Sequence, residues 1–380
     1  MDAMAPVETY SLALIRALIQ EQPIPPVPEE IGLGELYGFA KSHGVQALVF
    51  RGLSQLNLNR EDPVWQQWEN QVNQLLAQSV VQLQERDELI RIFAQAGVDV
   101  LPIKGCWLKE QYPDINDRQM SDLDMLFHPE NAAQVEKILL ERGYQKGEVS
   151  FHHTLYLKKP YLVVEMHTSL LPGIDEHKGY YEDVWQRVVA NKENPHLYRL
   201  KPEDEYLFYL VHLNTHLKEG GSGIRSILDN CIYTRCFPEL DVSYLEKELE
   251  TLGLAQLAHQ VQTLSWCWFV IGQEVPETLK PFAQKVCSAG TYGFLEARVQ
   301  TRMEDLAKQY PNPVIRFFAY CLPRFFQPMQ VMKRRYPVLE KLPILLPACW
   351  VARVVSMMKH NENSFWQHLS FLFQKGDRHG

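Results

Sequence analysis

The sequence predicts an α+β protein: a small mixed-sheet core, built on a strand–helix–strand unit that carries D-x-D, between N-terminal and C-terminal helical regions. Three observations predict it. Apolar residues recur at helical spacing before residue 97 and again after about residue 180. Between these stretches, "VDVLPI", "MSDLDMLF", "FHHTLYLKK" and "YLVVEMHTSL" are short, β-rich and strand-like. The period changes at Gly97, the type of residue that ends a helix. The expected organisation is a helical region over 1–97, an α/β core over 98–178 and a helical domain over 179–380.

The first helix, near 7–21, places Leu12, Ile15, Leu18 and Ile19 at helical spacing and meets the proline-rich "PIPPVPEE". A second is expected near 34–44. The stretch from Asp62 to Gly97 reads as one long helix, with Asp62 as N-cap, Pro63 in the first position and Gly97 just past the end. Trp65, Trp68, Val72, Leu75, Leu76, Leu83 and Ile90 supply its apolar stripe. "VDVLPI" is then a strand, "KGCWLKEQY" a glycine turn continuing as helix, and "PDINDRQ" a polar loop into "MSDLDMLF". "HPENAAQVEKILLERG" is amphipathic, with Ala132, Val135, Ile138 and Leu139 on one face and Gly143 as its stop. Two strands follow, joined by a tight turn near Lys159–Pro160. Beyond 180, four segments beginning at "PEDEYLFYL", "IRSILDNC", "VSYLEKEL" and "LAQLAHQV" read as helices.

With 46% hydrophobic and 22% charged residues, the composition is that of a folded protein rather than a disordered one. The net charge of −8 argues against a broad nucleic-acid-coating surface, but not against a small anion held by a few local cations. Cys106, Cys231, Cys236, Cys267, Cys287, Cys321 and Cys349 form no C-x-x-C pair, and reduced thiols in a cytoplasmic protein are the simplest reading. The N-terminus lacks a cationic start, and "LPILLPACWVARVV" is too short and interrupted to span a bilayer.

Chemistry enters at "MSDLDMLF". On a strand Asp122 and Asp124 point the same way, while Leu123 and Met125 face the core. Unpaired burial of carboxylates costs several kcal/mol, so these two need water, cations or a metal. "YLVVEMH" repeats the pattern: Glu165 and His167 share a face opposite Val164 and Met166. Three converging carboxylates suit a hard divalent cation, Mg²⁺ or Mn²⁺, completed by water and substrate phosphates. Upstream, Lys104 and Gly105 stand where a strand gives way to a helix, a place where backbone N–H groups can meet an anion. Lys104 and Arg118 are candidate cations for a polyphosphate.

The order strand, glycine turn, helix, D-x-D strand and strand with a third acid resembles the polymerase-β-like nucleotidyltransferase superfamily. Within it, "LPIKGCWLKEQYPDINDRQMSDLDMLF" followed by "VVEMH" is similar to the uncharacterised bacterial nucleotidyltransferase family with a Lys-Gly turn and an S-D-L-D core. The resemblance implies transfer of a nucleoside monophosphate from an NTP to an acceptor, which can be a small molecule, a peptide or a protein. Asp122 and Asp124 would bind metal, and Glu165 would activate the acceptor hydroxyl or hold a second ion. Lys104, Gly105, Arg118 and Ser121 are the candidate nucleotide- and phosphate-binding residues, and His167, Arg225 and Asp229 possible substrate contacts. The superfamily turn usually carries a serine. Here Lys104–Gly105–Cys106 offers no hydroxyl, so Lys104 takes over its task or phosphate binding has weakened.

Other motifs carry less. His212 and His216 lie one helical turn apart, but Leu213 stands where a zinc protease needs glutamate. "GGSG" at 220–223 lacks the rest of a phosphate loop and reads as a link between helices, and Arg225 with Asp229 has the spacing of a helical ion pair. "RFFQPMQVMKRR" mixes aromatics with cations and packs by default as a helix with a solvated basic end. Two rivals remain: a nucleotide-binding module that works through a partner, and a D-x-D glycosyltransferase. The latter would carry a larger nucleotide domain before its D-x-D than the helical first 97 residues provide.

Overall fold

The computed structural model describes residues 4–150, 152–171, 176–218, 221–290, 306–307, 309–329, 332–333, 336 and 338–359. The chain forms two compact units, one of residues 1–214 with 223–291, the other of 215–222 with 292–380.

The first unit opens with helices α1 (Pro6–Ile19), α2 (Leu33–Ser42) and α3 (Gln46–Leu53), and continues into the long α4 (Pro63–Gln95). The N-terminus of α4 forms as its sequence predicts: Asp62 accepts a hydrogen bond from the Val64 N–H at 2.7 Å, and Pro63 follows at N1. Gly97 takes φ +69° just beyond the end, where a side chain would be strained. The middle of α4 departs from the expected apolar stripe. Leu76 is exposed, and the buried positions there are Ser79, Gln82 and Arg86. Gln82 and Arg86 donate to backbone carbonyls and Ser79 accepts from the Lys109 ammonium, so this face meets polar groups rather than an apolar core.

The sheet has the order β1-β2-β5-β4-β3, with β1 at Val100–Pro102, β2 at Leu123–Phe127, β3 at Gln145–Val149, β4 at His153–Lys158 and β5 at Leu162–His167. Only β2 and β5 run parallel; the other pairs are antiparallel, so the sheet is mixed as predicted. Strands β4 and β5 form a hairpin turning at Lys159–Pro160. Alternation divides the sheet into two faces. On one, Leu123, Met125, Phe127, Tyr156, Val164 and Met166 pack with Leu89 and Phe93 of α4 and with Val135 and Leu139 of α6 (Ala132–Glu141). Each such side chain contributes about 1.5–3 kcal/mol when fully buried. The opposite face carries Asp124, Glu165, His167 and His153.

After β1 the chain makes a single helical turn, α5 (Gly105–Leu108), and then a 3₁₀ turn, Lys109–Gln111, so the expected longer helix is a short one. A two-stranded ladder of β6 (Val188–Ala190) and β7 (Tyr198–Leu200) interrupts the region read as purely helical beyond 180. Helices α7 (Pro202–Lys218), α8 (Ile224–Cys236), α9 (Val242–Thr251) and α10 (Ala255–Ser265) follow, and α11 (Lys280–Ala289) comes after a π-helical segment at Trp266–Ile271. Cys106, Cys231, Cys236, Cys267, Cys287 and Cys349 are free thiols.

In the second unit, helices Pro313–Phe325 and Leu346–Lys359 are described, and Met332, Leu339 and Cys349 form a small buried cluster. Parts of "RFFQPMQVMKRR" and of the glycine-rich link (219–220) lie outside the described residues. Among the described residues, no helix is long and apolar enough to cross a membrane.

Candidate active site

The site begins at the turn after β1. Lys104 adopts φ +55° and ψ −119°, a conformation a side-chain-bearing residue holds only when its surroundings enforce it. Two features enforce it. The Ile103 N–H donates to the Asp124 carbonyl at 3.0 Å, and the Cys106 N–H donates back to the Ile103 carbonyl at 3.2 Å. The next residue has no room for a side chain, because a Cβ on Gly105 would lie 2.5 Å from Arg118 Nη1 and 3.1 Å from Met120 Sδ. Gly105 is therefore required by the packing of Arg118. Gly105→Ser is expected to lower stability by about 1–3 kcal/mol, readable by urea titration, and to gain no activity.

The strained turn aims the Lys104 ammonium at the carboxylates. Its Nζ lies 2.8 Å from Asp124 Oδ1. The parallel register sets Asp124 beside Glu165 on the same face. His167, two residues on, joins them: its Nε2 is 2.8 Å from Asp124 Oδ1 and 3.4 Å from Glu165 Oε2. Ionised carboxylates can only accept, so Nε2 carries the proton. Asp122 lies just before β2 and receives a hydrogen bond from the Ser121 hydroxyl. His153, directly across the hairpin from His167, places Nδ1 3.8 Å from Glu165 Oε2 and 3.1 Å from His152 Nε2.

These neighbours divide the carboxylates electrostatically. Burial, and then the charge of Asp124, push Asp122 up to about 6, and Lys104 offsets only part of this. Burial would raise Asp124 too, but the Lys104 charge and the His167 hydrogen bond hold it well below the usual carboxylate range. The His167 hydrogen bond also lowers Glu165. Burial opposes charge on Lys104 and His167; Asp124 outweighs it in both, so both sit above their ordinary values. His152 is held down to about 4 by burial and by neighbouring cations.

A strained lysine turn thus stands against carboxylates gathered on one sheet face. A family described as uncharacterised nucleotidyltransferase matches residues 29–270, more than half of the chain. The chain belongs to that family. No curated protein and no solved structure gave a significant match. Family membership makes this protein a nucleotidyltransferase in the general sense and a nucleotide its substrate class.

Within this nucleotidyltransferase, the candidate residues separate into two groups. Lys104, Ser121, Asp122, Asp124, Glu165 and His167 come together through the contacts above. Arg118 and Asp229 meet each other: Nε and Nη2 of Arg118 reach the two carboxylate oxygens at 2.8 and 3.0 Å, with both residues buried. Tyr112 adds a hydrogen bond to Asp229 at 2.6 Å. Arg225 donates to the Gln119 carbonyl at 3.1 Å, so it meets the loop before β2. Removing one partner of a buried pair leaves an uncompensated charge. Arg118→Ala is thus expected to destabilise the protein by about 3–5 kcal/mol in chemical denaturation. His212 and His216 belong to neither metal-compatible cluster among the described residues.

Several site residues were not singled out by sequence reasoning. Arg51 grips Asp117 with two hydrogen bonds of 2.9 and 2.7 Å. Gln82 donates to the Met120 carbonyl, and Lys109, wholly buried, donates to Ser79 and to the Arg118 carbonyl. Arg86 donates to the Cys106 carbonyl at 2.5 Å and pairs with Glu110. Arg51, Gln82 and Lys109 hold the loop that leads into Asp122 and Asp124, while Arg86 holds the turn after β1. The adjacent pair His152–His153 is the one legible signal, since it stands at the head of β4, the hairpin partner of the strand that carries Glu165 and His167.

Proposed function

We propose that this protein transfers a nucleoside monophosphate from an NTP to an acceptor hydroxyl, with release of pyrophosphate and dependence on Mg²⁺ or Mn²⁺. The observation that supports it most is the side-by-side register of Asp124 and Glu165, with Asp122 at the head of the same strand and the Lys104 ammonium against them. The donor set fits a hard divalent ion: oxygen ligands, gathered on one face, with one carboxylate held above its normal range by burial and by the charge of Asp124. Asp122 and Asp124 would hold the ion and Glu165 a second one; when bound, such ions neutralise charge on the phosphate oxygens.

The chain's own groups divide the remaining work. The acceptor oxygen attacks the α-phosphorus, the bond to the β-phosphate oxygen breaks, and the hydroxyl proton passes to solvent or to a carboxylate. Glu165, lowered by His167, is a weak proton acceptor, which favours ligation over general-base work for this residue. His167 keeps Asp124 and Glu165 in a fixed mutual orientation. Lys104 stays charged through neutral pH and supplies the cation that the missing turn hydroxyl leaves to it.

Pyrophosphate release should appear with at least one NTP in the presence of Mg²⁺, vanish with chelator, and return when Mg²⁺ is restored. Release that persists after chelation, or in the Asp122→Asn/Asp124→Asn double variant, overturns the proposal. One observation favours a second reading, the nucleotide-binding module: Lys104 is tied to Asp124 at a turn without serine. Calorimetric binding of an NTP with Mg²⁺, without any pyrophosphate release, would select it.

A further inference from the structure

His152, His153 and His167 are arranged as ligands. One ring nitrogen from each lies within 4.8 Å of the others. His152 Nε2 and His153 Nδ1 are 3.1 Å apart, close to the roughly 3.3 Å expected of two nitrogens about 2.0–2.1 Å from one tetrahedral ion. The backbone around them is fixed. The Ser150 hydroxyl accepts from the N–H groups of both His152 and His153, and the Thr168 N–H donates to the His152 carbonyl at 2.7 Å.

The outer contacts match those of metal-bound imidazoles, whose second nitrogen is usually held by an oxygen. His152 Nδ1 faces Ser150 Oγ at 3.4 Å. His167 Nε2 lies 2.8 Å from Asp124 Oδ1, which leaves Nδ1 as its second nitrogen. That atom is buried and has no hydrogen-bond partner among the described residues, in a side chain only 1% exposed. The His167 ring lies 5.5 Å from that of His152 and 5.1 Å from that of His153, so three imidazoles stand close enough to share one cation.

We infer that His152, His153 and His167 form a second cation site, selective for a zinc-class transition metal over Mg²⁺. Imidazole nitrogen suits zinc, cobalt and nickel, whereas Mg²⁺ takes oxygen. The neighbourhood is net acidic, with Asp122, Asp124 and Glu165 against Lys104, and Glu165 Oε2 lies 3.8 Å from His153 Nδ1 as a candidate fourth ligand. The site rests on no assumption about the group this protein transfers.

Cobalt is the probe, because nitrogen-ligated Co²⁺ absorbs in the visible and Mg²⁺ is silent. The full chain, titrated with Co²⁺ in a large excess of Mg²⁺, is expected to develop d–d absorption that saturates at one ion, and Zn²⁺ is expected to erase it. His152→Ala and His153→Ala, both at partly exposed positions, should weaken Co²⁺ binding at least about tenfold with unchanged circular dichroism. Absence of the bands, their loss to Mg²⁺, or equal affinity in the His152→Ala/His153→Ala double variant overturns the site. Asp122→Asn separates the two readings, since it should retain the cobalt bands whether or not it removes pyrophosphate release.

Discussion

Asp124→Asn is expected to abolish pyrophosphate release and, separately, to weaken the fold by about 3–5 kcal/mol. The two losses have different origins. Asp124 is buried between the Lys104 ammonium and the His167 ring, each 2.8 Å from the same oxygen. An amide keeps the shape but removes the charge that both neighbours require. Loss of several kcal/mol of transition-state stabilisation corresponds to about a thousandfold or more in rate. The stability effect has a defined pH signature. Asp124 is held below the ordinary carboxylate range, so its contribution is complete above the unfolded-state value and disappears as pH falls through the depressed one. Urea titrations of wild type and variant should therefore differ at pH 7 and converge in strong acid. Coincident curves at pH 7 would show that the ion pair contributes nothing.

Asp122→Asn should do the opposite to stability while still stopping turnover. Asp122 sits at about 6, above its ordinary 3.8, because burial and Asp124 disfavour its charge. The folded protein thus holds this proton more tightly than the unfolded chain does. The stabilisation from that bound proton is complete below the unfolded value and is lost as pH rises through about 6. With divalent ions chelated at neutral pH, the asparagine variant is expected to be more stable by about 3 kcal/mol, and the advantage should fade near pH 4. A destabilised variant under those conditions would contradict the electrostatic description of the site. Two carboxylates one residue apart thus carry opposite signs: one is anchored by cations, and the other is kept under repulsion that a bound cation would relieve.

The parts of this structure legible in the sequence are those where one residue's type implies its surroundings. Asp62–Pro63 and Gly97 mark the ends of α4, and alternation in "SDLDMLF" and "VVEMH" puts the acids on one face. The strand β3, "QKGEV", was not legible, because an exposed edge strand carries no apolar alternation. Helix α3 is buried on nearly every side and so shows no stripe. Strands β6 and β7, of three residues each, are too short to show a period. In the site, what escaped was partnership at a distance. Arg118 and Asp229 are separated by 111 residues, and nothing local distinguishes a buried arginine from one aimed at phosphate.

The loop from Asp114 to Met120 is held by Arg51, Gln82 and Lys109 from the chain before it, and by Arg225 and Asp229 from α8 after it. On the ribosome, the acidic strand therefore emerges long before its last anchors do. A nascent chain shorter than about 230 residues holds all three carboxylates yet cannot fix the loop that presents them, so catalytic competence should switch on late in synthesis, when α8 leaves the exit tunnel.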